Sequence, residues 1–574
     1  MPSELDRKLE EAYQIVTGEG GPITVGETDY HGHAVPFISN APPSLPFYFA
    51  HFCAQHGDAT FLVDGDERLS FNQVYAAAKT VAAALVEGYG VHKGDRVGIA
   101  MRNAPAWIVI YMGIIMAGGC ATLLNGWWQG EELADGIMDS ETTLVFADAQ
   151  RAERLAQSGL DHGAEVVTLN IAQPIDAVIA PIAAKGGSAE TELPLVMGDD
   201  LATILFTSGS TGQSKGAWSN HRGVTQGVFS YLAQTLMMLT YATAEGMAPT
   251  IQPCTLLNVP LFHVTAEVPV MLQSFGMGRK LVLMPKWDAE EAMRLIEKEQ
   301  VTYFVGVPLM SYEMLVHPNR EKYDLSTCMS YAAGGAPRPP EHVKKLAEGM
   351  GGGQPLLGYG LTETNAVGCG NLNENYMAKP NSTGPASKPL VDLKIMDDAG
   401  KPLPQGTVGE ICIRSICNFE GYWNNPEATA AAFTPDHYFR TGDLGYLDAE
   451  DYLFIVDRKK DIIIRGGENI TCYEVEAAIY AHPDVAECAV FGLPDERLGE
   501  IPGAVVHFHP DSHTSSVELS DFLKSHIAAF KVPEMIWVSA EALPRLGTEK
   551  IDKVSLRTRY RALYEAKGVE AAEM

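Results

Sequence analysis

The sequence is poor in positive charge. Lysine and arginine number 42 against 72 aspartate and glutamate residues, so the 574-residue chain has a formal net charge of −30. Such a surface repels nucleic acid and anionic membranes, and we expect neither as a partner. An anionic substrate must therefore be attracted by a local cluster of hydrogen-bond donors and cations.

Long apolar runs and paired cysteines are missing as well. The strongest apolar run, from Trp107 to Met116, is too short to cross a bilayer, which predicts no integral membrane association. The nine cysteines are scattered without a C-x-x-C pair, which argues against a disulfide scaffold or a zinc ribbon. The first residues are charged where a secretory signal is apolar, and the chain ends without a peroxisomal Ser-Lys-Leu. We expect a soluble cytoplasmic protein, monomeric or homodimeric.

Two common active-site motifs are not supported either. The G-x-S-x-G spacing occurs only as GQSKG, residues 212–216, inside a glycine-rich run that precedes a strand-like segment rather than a helix, which gives hydrolase chemistry no support. The run ILFTSGSTGQSKG, residues 204–216, departs from the Walker A spacing because Lys215 follows Ser214 and precedes a glycine. The strand-like GAWSN comes next, so we predict a turn between two strands and a helix that begins near Asn220. The hydroxyls, N–H groups and lysine of this glycine loop suit the outer phosphates of a nucleotide, and a ligand-free turn is the alternative.

What the sequence does contain is a regular alternation of strand-like and helix-like segments. Apolar patterns predict buried strands at 96–101, 120–125 and 142–148, with helices at 104–119 and 130–140. The alternation predicts an α/β fold, in which a large N-terminal domain of parallel and mixed sheets is covered by helices. The stretch around Pro174 to Pro194 is predicted to be a surface connection.

Past Asp461 the pattern changes to that of a small α+β domain. Residues 472–483 and 515–530 have helical patterns, and residues 485–494 and 502–510 have strand patterns. Ser515 and Glu518 have the spacing of a capping box, which predicts the start of the second helix.

Eight further segments follow the glycine loop in a fixed order. They are PLFHVTA, AAGGAP, GYGLTET, GEICIRS, GYWNNPEAT, YFRTGDLGYLD, DRKKDIIIRGGENI and PRLGTEKIDK. Together they span nearly the whole chain and resemble the motifs of the adenylate-forming superfamily, which includes acyl-CoA synthetases, amino-acid adenylation domains and beetle luciferases. The resemblance implies a large domain at 1–457, a hinge at 458–460 and a small mobile domain at 461–574. It also implies that a carboxylate attacks ATP to give an acyl-adenylate, from which a thiol displaces AMP.

The resemblance assigns the nucleotide-binding residues. The glycine loop would hold the β- and γ-phosphates, Tyr359 would stack on adenine, Asp443 would accept the ribose hydroxyls, and Arg458 would brace the ribose or a phosphate. The full set comprises Thr207, Ser208, Gly209, Ser210, Thr211, Gly212, Lys215, Gly334, Gly335, Ala336, Pro337, Gly358, Tyr359, Gly360, Asp443 and Arg458.

Four residues are expected, by the same resemblance, to act at the reacting groups. Glu363 would bind the Mg²⁺ that bridges the phosphates, and Thr362 would donate to the α-phosphate. Lys550 would bridge the incoming carboxylate and the α-phosphate, and His263 would form an aromatic gate beside them. The chain departs from the family pattern at Glu549, where a glycine usually precedes the lysine.

A pivot of the small domain is expected to separate the two half-reactions. By resemblance the pivot lies at Lys460, and it exchanges the face of Lys550 for the face of Gly466 and Gly467, which would line the passage for the pantetheine of coenzyme A.

The wall of the acyl pocket is predicted to consist of small and apolar residues, among them Val264, Thr265, Val305 and Ala366. No acid follows the PLFH segment until Glu267, which argues against an amino-acid substrate. We therefore expect an AMP-forming acyl-CoA synthetase for a hydrophobic carboxylic acid: medium- or long-chain, aromatic or polycyclic. The alternatives are a ligase that loads a carrier protein, a non-catalytic nucleotide-binding relative and, last, a luciferase-like oxygenase.

Overall fold

The computed structural model describes residues 3–207, 214–334, 338, 340–510, 512–546 and 550–572. Several residues singled out above lie outside these ranges: Ser208, Gly209, Ser210, Thr211, Gly212, Gly335, Ala336, Pro337 and Glu549. The described part is a mixed α/β fold with a large N-terminal and a small C-terminal portion, which confirms the predicted fold class.

The first large sheet contains the strands predicted from the alternating pattern. Its spatial order, within the described residues, is Gly421–Tyr422, Lys215–Asn220, Leu201–Thr207, Cys120–Leu123, Arg96–Ala100, Leu144–Asp148, Glu165–Leu169. The strands from Leu201–Thr207 to the far edge run parallel. Lys215–Asn220 returns antiparallel to Leu201–Thr207, with Thr207 opposite Lys215. Two neighbouring strands thus flank the glycine loop, as predicted, and their pairing is antiparallel.

The second large sheet lies within the N-terminal portion as well. Its order among the described residues is Cys369–Leu372, Gln354–Tyr359, Ser330–Gly334, Tyr303–Gly306, Cys254–Leu257, Lys280–Leu283, Thr60–Asp64, Glu67–Ser70. All neighbours are parallel except the outermost strand at each edge. Strands buried on both faces are near-continuous apolar runs, as in LVL and YFVG here.

Three smaller sheets complete the described structure. An antiparallel sheet has the order Asp392–Met396, Gly409–Arg414, Phe439–Leu447, Leu453–Arg458, and an N-terminal hairpin pairs Val25–Tyr30 with His33–Ile38. The C-terminal sheet has the order Glu468–Ile470, Ile463–Arg465, Gly499–Phe508, Val485–Asp495, and Met535–Ser539 pairs with Gly499–Phe508.

Helices cover the sheets on both faces. The α-helices of the described residues are Glu4–Thr17, Leu45–His56, Phe71–Glu87, Pro105–Met116, Gly130–Asp139, Ala149–Ser158, Ile175–Ala183, His221–Ala244, Val264–Ala266, Gln273–Met277, Ala289–Glu299, Pro308–Val316, Pro340–Gly349, Asn373–Ala378, Pro426–Ala432, Cys472–Tyr480, Ser516–Lys524 and Lys553–Ala572. A π-helix spans Glu267–Leu272, and 3₁₀ turns span Arg320–Lys322, Thr362–Thr364 and Ala529–Lys531.

The apolar run noted in the sequence is a core helix. Every residue of Pro105–Met116 is buried, and a Cβ added at Gly113 would lie 2.5 Å from Cγ1 of Val81 on the neighbouring helix. A helix that is apolar all round is covered on all sides, here by other protein segments. No helix in the described ranges is long and apolar enough to span a membrane.

Two helices begin where the sequence predicts. The Asn220 side chain accepts from the Gly223 N–H at 2.8 Å, and helix His221–Ala244 begins there. The capping box of Ser515 and Glu518 is present, although its helix ends at Lys524 rather than at 530.

The prediction for Pro174–Pro194 is wrong in part. Residues Ile175–Ala183 form a helix with a buried apolar face: Ile175, Val178, Ile179 and Ile182. This helix packs on Phe71–Glu87, and the burial of four apolar side chains outweighs the cost of Pro181 inside it. The remainder of the stretch has no regular structure.

The boundary between the two domains stays a prediction. The last strand of the four-stranded sheet ends at Arg458, and Ile463–Arg465 already belongs to the C-terminal sheet.

All nine cysteines are buried free thiols.

Candidate active site

Several predicted nucleotide-binding residues lie at the ends of strands. Gly334 and Gly358 are paired where two parallel strands of the second sheet end. Thr207 ends a strand of the first sheet, and its hydroxyl donates to the Lys215 carbonyl at 3.4 Å. Ligands of α/β sheets bind at the carboxyl ends of parallel strands, so topology and motifs indicate the same region.

Asp443 is buried at the centre of a hydrogen-bonded cluster. Tyr359 Oη donates to Asp443 Oδ2 at 2.7 Å, and Arg458 Nε lies 3.3 Å from Oδ1. The register of the four-stranded sheet places Asp443 opposite Arg458. Burial raises the pKa of Asp443, while the charge of Arg458, the bond from Tyr359 and the charge of Lys550 act in the opposite direction.

Lys550 joins this cluster from the C-terminal portion. Burial and then the charge of Arg458 lower the pKa of Lys550 to about 8, and Asp443 acts in the opposite direction. The Leu546 N–H donates to the Lys550 carbonyl at 2.7 Å. The structure thus brings together the predicted catalytic lysine and the predicted ribose-binding residues.

His263 lies close enough to Lys550 to be affected by its charge. Burial, and after it Lys550, lower the pKa of His263 to about 3, so the ring is neutral. Nδ1 accepts from the N–H of Thr265 at 3.2 Å, which caps the short helix Val264–Ala266. The neutral ring therefore carries its proton on Nε2.

Glu363 is held on the 3₁₀ turn Thr362–Thr364, with Thr362 half-buried beside it. Burial raises the pKa of Glu363, and nearby Arg458 is among the groups that lower it. Oε1 accepts from Tyr422 Oη at 2.8 Å. The motif GYWNNPEAT contained Tyr422, but its sequence gave no signal of this contact.

The four residues predicted for the acyl wall differ in burial. Val264, Val305 and Ala366 belong to one buried apolar cluster, and Thr265 is half-buried beside them. Sequence reasoning missed Tyr231 of helix His221–Ala244, whose hydroxyl donates to the Ala366 carbonyl at 2.5 Å.

A strained turn sets the position of Ala366. Asn365 and Ala366 have φ values of 49° and 64°, a left-handed conformation that is costly for residues other than glycine. The Asn365 side chain holds the turn by donating to the Cys417 carbonyl at 2.8 Å. A Cβ at Gly360 would lie 2.0 Å from the Ala366 carbonyl oxygen, so this close approach requires glycine.

Three predicted residues are exposed. Gly466 and Gly467 form a turn with φ values of 59° and 92°. Lys460 lies near enough to Asp443 for its charge to oppose the raised pKa of that carboxyl. The predicted role of the glycine turn requires a different position of the C-terminal portion.

Histidine, cysteine, aspartate and glutamate do not form metal-binding groups of three or more anywhere in the described ranges.

Two family models match the chain. The model "AMP-binding enzyme" matches residues 49–423, and the model "AMP-binding enzyme C-terminal domain" matches residues 474–550. These matches include the strands and turns that carry Thr207, Glu363 and Lys550.

Individual proteins match over most of their length. The chain is 32% identical to a long-chain-fatty-acid–CoA ligase of Bacillus subtilis, over 87% of this chain and 91% of that protein. It is 32% identical to a feruloyl-CoA synthase of an Amycolatopsis species, over 85% and 94% of the two chains. The structure of o-succinylbenzoate coenzyme A synthetase from Bacillus subtilis with ATP and magnesium superposes with a TM-score of 0.76, at 26% identity, over 90% of this chain and 100% of that one. The chain therefore belongs to the AMP-binding enzyme family, the adenylate-forming enzymes that its motifs resemble.

Proposed function

We propose that the protein is an AMP-forming acid–thiol ligase, an acyl-CoA synthetase that uses ATP, Mg²⁺ and coenzyme A to activate a hydrophobic carboxylic acid. The observation that carries the proposal is the meeting of Lys550 with Asp443, Arg458 and His263 between the two portions of the chain. These four residues come from four separate sequence motifs, PLFHVTA, YFRTGDLGYLD, DRKKDIIIRGGENI and PRLGTEKIDK.

The nucleotide occupies the ends of the parallel strands. Lys215 and the glycine loop bind the outer phosphates, and Tyr359 packs on the adenine. Asp443 accepts hydrogen bonds from the ribose hydroxyls, with Arg458 beside it as a guanidinium donor. In support, Tyr359 and Arg458 already bond to Asp443 and so preorganise its carboxylate.

Glu363 fits a magnesium ion bound mostly by phosphate oxygens. A hard carboxylate oxygen is a ligand that Mg²⁺ prefers, and one or two carboxylates suffice where phosphates supply the other ligands. When bound, Mg²⁺ would neutralise charge on the phosphates. The side chain is desolvated and oriented by Tyr422.

The reaction places two anions together. A carboxylate oxygen of the acid attacks the α-phosphorus, and pyrophosphate leaves with the bridging oxygen. Lys550 and Thr362 stabilise charge on the carboxylate and the α-phosphate. His263, neutral at physiological pH, forms the gate beside the carboxylate and adds no charge.

Thioester formation follows after the small domain has moved. The domain pivots at Lys460, Lys550 withdraws, and the turn of Gly466 and Gly467 lines the pantetheine passage. The sulfur of coenzyme A attacks the acyl carbon, AMP leaves with the electron pair, and the thiol loses its proton.

The acid is hydrophobic: medium- or long-chain, aromatic or polycyclic. The apolar surroundings of Val264, Val305 and Ala366 support this class, and so do relatives named for fatty and ferulic acids. The cytoplasm stays the predicted compartment, supported by nine free thiols, and a monomer or homodimer stays the predicted state.

A panel of carboxylic acids tests the proposal. Purified protein is incubated with ATP, Mg²⁺, coenzyme A and each acid, and pyrophosphate and AMP are measured. Release with hydrophobic acids and formation of the CoA thioester are the expected results. Transfer to a phosphopantetheine carrier protein but not to coenzyme A would indicate the carrier-loading ligase, and no release with any acid would indicate a non-catalytic relative.

A further inference from the structure

Tyr422 contacts both groups that are proposed to hold the ATP phosphates. Its hydroxyl donates to Glu363 Oε1 at 2.8 Å. On the ring of the same side chain, Lys215 Nζ lies 5.0 Å from the centroid, within cation–π range. One side chain therefore spans the space between the carboxylate proposed for Mg²⁺ and the lysine of the glycine loop.

The main chain around Tyr422 is fixed on both sides. Tyr422 is paired with Ala217, on the strand that leaves the glycine loop, and the Trp423 N–H donates to the Gly216 carbonyl at 2.7 Å. The N–H of Tyr422 itself donates to Thr429 Oγ1 at 2.9 Å. Because its backbone is held on both sides, the Tyr422 side chain has little freedom to move together with Glu363. The Glu363 carboxylate must therefore take the orientation that the Tyr422 hydroxyl sets.

The same segment also holds the backbone of Glu363. The Phe419 N–H donates to the Glu363 carbonyl at 2.8 Å, and the Phe419 ring packs edge-on against Tyr422 with centroids 5.0 Å apart. Residues 419–422 thus donate hydrogen bonds to both the main-chain carbonyl and one carboxylate oxygen of Glu363.

We propose that Tyr422 is a positioning residue that fixes Glu363 for Mg²⁺ and keeps Lys215 at the phosphates. The inference rests on the proposed function, since it assumes that Glu363 meets a metal–nucleotide complex. Metal-binding carboxylates are held by outer hydrogen bonds whose loss costs about 10- to 100-fold in metal affinity or activity. Here a single phenol supplies that bond and a contact to the phosphate-binding cation.

Two substitutions separate the two contacts. Tyr422→Phe removes the hydroxyl and keeps the ring under Lys215, whereas Tyr422→Leu removes both. Mn²⁺ binding to the protein saturated with α,β-methylene-ATP is measured by calorimetry, and AMP binding without metal is measured alongside. For Tyr422→Phe we expect a loss of cation affinity of about tenfold or more with AMP affinity unchanged. Tyr422→Leu should in addition weaken the metal-free binding of the analogue.

Tyr13→Phe is the matched control. Tyr13 also has a lysine over its ring, since Lys388 Nζ lies 5.4 Å from the centroid, but it belongs to the N-terminal helix. Tyr13→Phe should leave the affinities for Mn²⁺, AMP and α,β-methylene-ATP unchanged. Melting temperatures of all variants are compared, so that a loss of fold is recognised as such.

The outcomes are distinct. Wild-type cation affinity in Tyr422→Phe overturns the inference, and so do equal losses of cation and AMP binding, which indicate a general structural role. Lys215→Gln leaves the bond from Tyr422 to Glu363 in place. It should therefore weaken binding of the ATP analogue but not binding of the cation. A loss of cation affinity in this variant would contradict the assignment of separate roles to the two contacts. Wild-type protein that binds neither AMP nor the analogue removes the proposed function itself.

Discussion

Lys550 and His263 belong to different domains of the predicted division, yet the charge of the lysine helps to lower the pKa of the histidine to about 3. Burial is the larger cause. A neutral imidazole beside an ammonium leaves the lysine as the cation that a carboxylate meets at this point. In the same structure the turn of Gly466 and Gly467 is exposed. The C-terminal portion therefore presents the face proposed for adenylate formation.

Removing the charge of Lys550 should slow the first half-reaction selectively. We expect Lys550→Ala to reduce pyrophosphate exchange by about 100- to 1,000-fold, as for the loss of a preorganised group that stabilises transition-state charge. Thioester formation from synthetic acyl-adenylate should change little. The control is Lys524→Ala, at an exposed lysine paired with Asp521 at 2.7 Å. Equal losses in both assays would contradict the assignment.

The pH dependence of adenylation should report Lys550. Its ammonium is charged below its pKa of about 8 and loses its proton above it, so the rate of pyrophosphate release should fall as pH rises through 8. Because Asp443 raises that pKa and Arg458 lowers it, Asp443→Asn should move the falling limb to lower pH. A rate that stays level to pH 10 in the wild type would be inconsistent with a catalytic ammonium.

The proposed pivot can be tested at Lys460. Lys460→Pro restricts the backbone at the hinge, so we expect adenylation to proceed and thioester formation to be blocked. Pyrophosphate exchange and thioester release are measured on the same preparation. Parallel losses in the two assays would argue against a pivot at this residue.

Two neighbouring glycines give a matched pair. Gly360→Ala should destabilise the protein by about 1–3 kcal/mol, because its Cβ would lie 2.0 Å from the Ala366 carbonyl oxygen. Gly358→Ala should be tolerated in stability, since no heavy atom of the described residues lies within 4 Å of its added Cβ. Denaturant unfolding of both variants provides the measurement, and similar values for the two would refute the close contact.

Buried Glu267 should make stability depend on pH. Burial raises its pKa from 4.5 to about 7, against a hydrogen bond from Tyr111 Oη at 2.8 Å. The pKa of Glu267 is higher in the folded state than in the unfolded state. The neutral carboxyl group therefore contributes its full stabilisation below about pH 4.5. This contribution, about 3 kcal/mol, is lost as the pH rises through 7. Glu267→Gln should flatten the unfolding free energy between pH 5 and 8, whereas exposed Glu131→Gln should not.

Much of the fold could be predicted because its strands and helices have strong periodicity. The segments predicted at 96–101, 120–125 and 142–148 contain the buried strands Arg96–Ala100, Cys120–Leu123 and Leu144–Asp148. Helix Ile175–Ala183 could not be predicted in the same way, since Pro181 and nearby alanines resemble a connection. Its stability comes from packing on another helix, which a local pattern does not contain.

Some parts of the site could likewise be predicted from the sequence, and others could not. Residues such as Asp443 and Lys550 lie in motifs, and their meeting follows from the family resemblance. Tyr422 and Tyr231 act on Glu363 and Ala366, which are distant in sequence. Contacts of this kind depend on sheet register and helix packing, so single segments give no sign of them.

The burial of every native thiol has a practical consequence. Thiol-reactive dyes should leave the folded wild-type protein unlabelled, because its sulfurs are shielded from reagent and kept protonated by desolvation. A pair of cysteines introduced on exposed sites, one in each portion of the chain, would then be the sole points of attachment. The proposed rotation of the C-terminal portion during turnover could then be followed by single-molecule fluorescence without first removing any native residue.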